Sequence, residues 1–101
     1  MNDKMMSACT PISIKYSDER LRILVEEFIT QQRSTFTLKD VCSYVLYWAM
    51  EEGKAALVEG SLYESDKICQ ADCDRIHRVL DIIAGEGRIV ADGEHYKKLN
   101  N

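Results

Sequence analysis

The dipeptide Asp92-Gly93 separates two short alternating stretches, RIVA (Arg88–Ala91) and EHYK (Glu94–Lys97), and restricts the available folds more than any other feature. A two-residue loop of this kind favours a type I′ turn, in which both central residues have positive φ. The spacing predicts a hairpin with Ala91 opposite Glu94, Val90 opposite His95, Ile89 opposite Tyr96 and Arg88 opposite Lys97. Gly85-Glu86-Gly87, just before it, ends any helix arriving there. A lone hairpin is marginal in water, so this one must pack on the helices that precede it.

The preceding residues carry helical periodicity. Ser17 suits an N-cap, with Asp18 and Glu19 in the first turn where the helix dipole favours negative charge. Leu21, Leu24, Val25, Phe28 and Ile29 then recur on one face, predicting an amphipathic helix to about Gln32. A second start signal follows: Thr37 as N-cap, Asp40 three residues on in a shortened capping box, and Phe36 with Val41 as a hydrophobic staple. Leu38, Val41, Cys42, Val45, Leu46 and Ala49 form its inward stripe, and Gly53 suits the C′ position. Ser65-Asp66 opens a third helical pattern through Ile68, Cys69, Ile76, Val79, Leu80 and Ile83. Asp72 interrupts that stripe, so the pattern fits either one helix or two with a new cap at Asp72. Residues 1–11 are expected to fray, Ile12–Tyr16 to form a short strand, and residues 54–65 to make a helical turn or two followed by a loop.

A chain of 101 residues, 46% of them hydrophobic, is expected to form a single domain with one modest core. No apolar run approaches the roughly 20 residues of a membrane-spanning helix. The N-terminus lacks the apolar core of a signal peptide, so the expected location is cytoplasmic, with the four cysteines reduced. Phosphate-binding glycine loops, H-E-x-x-H and G-x-S-x-G are all missing, and neither catalysis nor a cofactor is expected.

Helix, short extended link, helix, helix and Gly-bounded hairpin is an order carried by FTLKDV at the second helix and by DCDRIHRVLDIIAGEGRIVADGEHYKKL over the third helix and hairpin. This order resembles the winged helix-turn-helix superfamily over about residues 17–99. The resemblance implies a small α+β fold with three main helices and a C-terminal β-hairpin wing. It also implies a DNA-binding transcriptional regulator, commonly dimeric, with the third helix in the major groove and the wing on the backbone. The connection at residues 54–65 departs from the family pattern, being much longer than the usual three or four residues.

On that resemblance Gln70, Arg75 and Arg78 are the candidates for base contacts, and Arg88, His95, Lys97 and Lys98 for phosphate contacts. The outer face of the third helix also carries Asp74 and Asp81, and the net charge of −4 argues against indiscriminate nucleic-acid binding. Arg88 opposite Lys97 is a repulsive cross-strand pair that a bound phosphate would relieve. The alternative is a winged-helix protein-interaction module that does not bind DNA. Tyr44, Tyr47 and Trp48 lie off the buried stripe of the second helix and are candidates for an oligomer interface. Cys69, Cys73 and His77 are metal-ligand types at helical spacing, but i and i+8 lie about 12 Å apart along a helix axis. Packing rather than metal binding is therefore expected of them.

Overall fold

A computed structural model describes residues 12–57 and 68–99. In chain order the elements are β1 (Ile12–Ile14), α1 (Asp18–Gln31), β2 (Phe36–Thr37), α2 (Leu38–Glu51), β3 (Ala55–Leu57), α3 (Gln70–Gly85), β4 (Ile89–Asp92) and β5 (His95–Lys98). The described residues form an α+β fold of three helices with a C-terminal hairpin. One sheet pairs β1 with β3; the other has the order β2-β5-β4, and all these pairings are antiparallel. The strand between the first two helices therefore closes the hairpin on its β5 side.

Both early helices begin where their caps require. The Ser17 hydroxyl accepts from the Arg20 N–H at 3.1 Å. Thr37 and Asp40 form a full, reciprocal capping box, at 3.1 Å and 2.9 Å. Gly53 follows α2 with φ +69°, the left-handed conformation that lets a helix stop. Leu21, Leu24 and Val25 of α1, Val41 and Val45 of α2, and Ile76, Leu80 and Ile83 of α3 meet in a dry centre. Each such side chain contributes about 1.5–3 kcal/mol by leaving water. Phe36 joins helices to sheet: it sits edge-on to Phe28 at 5.3 Å and stacks on Tyr96 at 5.6 Å.

Three expectations are corrected. Residues 54–65 do not begin with helical turns; Ala55–Leu57 pairs as a strand with Ile12–Ile14. The buried Ile12 and Ile14 hold β1 in place, and its backbone groups need partners that local propensity cannot show. Residues 58–67 lie outside the described residues, as do the N-terminal residues 1–11. The third helix starts at Gln70 and runs unbroken through Asp72; Cys69 is its N-cap, and Ile68 forms a bridge to Ile12.

The hairpin register is the third correction. Asp92 pairs with His95, Ala91 with Tyr96, Val90 with Lys97 and Ile89 with Lys98. The two loop residues are thus Gly93 and Glu94, and only Gly93 has positive φ, at +65°. A type II′ turn requires that of its first central residue, whereas a type I′ turn on Asp92-Gly93 would also have forced Asp92 out of extended backbone. Shifting the turn by one residue moves each cross-strand partner by two. Side-chain faces are kept, but Arg88 no longer stands opposite Lys97; the Leu99 N–H donates to its carbonyl instead, at 3.0 Å.

Candidate nucleic-acid interface

The link between α1 and β2 lies beside β5 because β2 pairs with β5. Gln32, Arg33, Ser34 and Thr35 of that link and Lys97 and Lys98 of β5 line one open groove. No carboxylate is among these lining residues. Lys98 is half-buried, and its Nζ donates to the Thr30 carbonyl at 3.3 Å, at the C-terminal end of α1. Arg33 and Lys97 are exposed, and among the described residues neither makes an ion pair. The Gln32 amide donates to the Phe28 carbonyl at 3.1 Å, and the two exposed cations with the two hydroxyls can bind an anion such as a phosphodiester.

Sequence patterning does not distinguish Arg33, which sits in a polar stretch, QQRST, like any solvated arginine. Only the β2–β5 pairing, across some sixty residues of chain, brings it to the same groove as Lys97.

The other candidates divide. His95 is exposed on the hairpin, cross-strand from Asp92 and Thr37. Arg88 turns away from the hairpin face: its guanidinium bonds Glu26 at 2.5 Å and comes within 4.0 Å of Glu86. Arg22 completes this network, at 3.2 Å from Glu26 and 2.6 Å from Glu86. The Arg88 bond, foremost, holds the Glu26 carboxyl below its ordinary range.

On α3, Arg75 points into the structure. It donates to Asp72 at 2.9 Å, to Asp18 at 2.9 Å and to the Tyr16 carbonyl at 2.6 Å, so its guanidinium is spent on the fold. Gln70 is exposed but donates to Asp74 at 2.8 Å. Arg78 is exposed and lines a cleft with Asp18, Glu19, Arg22, Arg75, Val79 and Ile82. Asp74 and Asp81 are also exposed, and His77 lies 3.7 Å from Asp81. The outer face of α3 is thus of mixed charge, and the cations gather at β5 and the α1–β2 link. The cleft and the groove share no lining residue.

Tyr44 belongs to the edge of the core, edge-on to Phe28 at 5.3 Å, while Tyr47 and Trp48 are 57% and 36% exposed. Cys69, Cys73 and His77 go separate ways. The Cys69 thiol donates to Asp72 at 3.1 Å, Cys73 contacts Cys42 at 3.7 Å, and His77 faces solvent. Among the described residues no three His, Cys, Asp or Glu side chains are grouped to hold a metal ion. Nor is any helix among them long and apolar enough to cross a membrane.

Comparison with protein-family models, with curated proteins and with solved structures finds no match to this chain.

Proposed function

We propose that the chain is a winged-helix DNA-binding protein, a cytoplasmic transcriptional regulator that holds a phosphate backbone in the groove between β5 and the α1–β2 link. The observation carrying this reading is the convergence of Arg33, Lys97 and Lys98 on one groove with Ser34 and Thr35 and without a carboxylate. The element order, with a short strand closing a C-terminal hairpin and α3 exposing one face, supports it. On this reading Arg78 is the base-contacting side chain of α3, and Arg75 and Arg88 serve the fold. The molecule acts as a dimer meeting through Tyr47 and Trp48, and loss of self-association in Tyr47→Ala/Trp48→Ala tests that part by sedimentation.

The experiment is a titration of the chain against duplex DNA fragments at several salt concentrations. The wild type binds with a negative slope of log K against log salt. Arg33→Ala and Lys97→Ala each make the slope shallower by roughly 0.9 and weaken all sequences alike. Arg78→Ala changes sequence preference, by about 1–3 kcal/mol for a bidentate contact. Absence of salt-dependent binding at low ionic strength overturns the proposal. The reading that then replaces it is a protein-interaction module, which the exposed Asp74 and Asp81 on α3 favour.

A further inference from the structure

The thiols of Cys42 on α2 and Cys73 on α3 meet at 3.7 Å, 31 positions apart in the chain, in a contact that the proposed function does not use. Both are free cysteines. Cys42 is buried; that burial, with the Cys73 thiol beside it, pushes its own thiol up to about 12 and keeps it protonated. Cys73 is half-buried and so the more exposed residue of the pair, the one a small oxidant in solution meets first. Cys69, one turn earlier on the same helix, directs its thiol to Asp72 Oδ2. A disulfide requires the two sulfurs to close from 3.7 Å to roughly 2.05 Å.

We propose that Cys42 and Cys73 form a redox-responsive pair, which a peroxide joins in an intrachain disulfide tying α2 to α3 and a thiol reductant releases. In the first step the Cys73 sulfur attacks one oxygen of hydrogen peroxide. The O–O bond breaks, the departing hydroxide takes the Cys73 thiol proton and leaves as water, and Cys73 becomes a sulfenic acid. The Cys42 sulfur then attacks the Cys73 sulfur. The S–O bond breaks, and the departing hydroxide takes the Cys42 proton to leave as a second water. Two thiols thereby lose two electrons and two hydrogens, and one peroxide is reduced to two waters. The bond fixes α3 against its neighbour whichever partner α3 serves, so this inference stands apart from DNA binding.

The test treats the full chain with an equivalent of hydrogen peroxide, alkylates remaining thiols under denaturing conditions, and maps the peptides by mass. The expected product is a single Cys42–Cys73 link with a mass about 2 Da lower, restored by dithiothreitol. Its melting temperature is higher by on the order of 10 °C, because the cross-link restricts the unfolded chain. Cys9→Ser and Cys69→Ser keep the link; Cys73→Ser, a near-isosteric change at a half-buried site, loses it and the thermal shift with it. A product in which Cys73 carries sulfinic acid while Cys42 is alkylated overturns the proposal. So does a link through Cys9 or Cys69, or one between two chains.

Discussion

The Ile14 N–H donates to Asp72 Oδ2 at 3.0 Å, so the strand before the first helix is anchored on the first turn of the third, 58 positions later. The same carboxylate accepts from the Cys69 thiol and from Arg75, and Arg75 carries the connection on to Asp18 and the Tyr16 carbonyl. This explains the one polar residue in an otherwise apolar stripe. Asp72 is almost fully buried and every part of it is bonded, which is what a buried charge requires.

Removing it leaves a backbone N–H without a partner and a guanidinium with only Asp18 and the Tyr16 carbonyl. Asp72→Ala is expected to destabilise the fold by about 2–3 kcal/mol, and Asp72→Asn by about 1 kcal/mol because it retains an acceptor. Urea unfolding of the three proteins measures both. An Asp72→Ala midpoint equal to that of the wild type would exclude an anchoring role.

The same carboxylate sets an acid limit. Burial resists its ionisation, but the Ile14 N–H, the Cys69 thiol and the Arg75 guanidinium outweigh burial and hold it below the ordinary range. Glu26 is held low as well, chiefly by Arg88. A carboxyl depressed in the folded state adds stability that is complete above its unfolded value, about 4, and is lost as pH falls through the folded value. The melting temperature should therefore be level from pH 7 to about 5 and fall below that. Asp72→Asn should make the acid fall less steep.

At the alkaline end the responsible group is Tyr16, whose hydroxyl donates to Glu52 at 2.5 Å. Burial first, then that hydrogen bond, holds its proton well beyond the usual tyrosine range. A phenol raised in the folded state adds stability that is complete below its unfolded value, about 10, and is lost as pH climbs above it. Tyr16→Phe is expected to cost about 1 kcal/mol at neutral pH and to reduce the alkaline loss. Part of the loss should persist, since Tyr96 is raised too, by burial and then by Asp81. Phenolate absorbance during a pH titration, alongside stability, checks both points.

Arg88 and Lys97 should now behave differently from each other. Arg88→Ala breaks the bond to Glu26 and lowers stability by less than about 1 kcal/mol, since the side chain is 43% exposed and solvent screens the pair. On the proposed DNA-binding reading it should leave the salt slope of binding unchanged, whereas Lys97→Ala should reduce that slope. A stability gain on losing Arg88 would instead show that the two cations repel one another.

Gly93→Ala tests the turn. A Cβ added there meets nothing within 4 Å, so the expected loss of about 1 kcal/mol comes from the positive φ alone. Thermal unfolding measures it, and a neutral result would show that the turn does not depend on glycine at this position.

Where the first two helices begin, and which side chains all three helices bury, was legible in the order of residues, whereas the start of α3 at Gln70, behind a Cys69 N-cap that makes no side-chain bond, was not. Ser17, the Thr37–Asp40 box and Gly53 act on backbone groups within a turn of themselves, and Leu21 to Ile29 and Ile76 to Ile83 repeat at the helical period. The existence of a hairpin near Gly93 follows from equally local rules, although its register depends on whether one or two residues take positive φ. The tertiary structure alone decided the rest. β1 finds its partner in residues 55–57, and β2 finds one in β5. Arg75 and Arg88 are claimed by Asp18 and Glu26, more than fifty positions away. Arg33 shares a groove with Lys97, and Cys42 meets Cys73, only because separate elements pack together. Capping and periodicity are short-range steric and hydrogen-bonding effects, so they can be read in a window of a few residues. A long charged side chain or a thiol takes whichever partner the folded chain brings within its reach, and that is settled by packing.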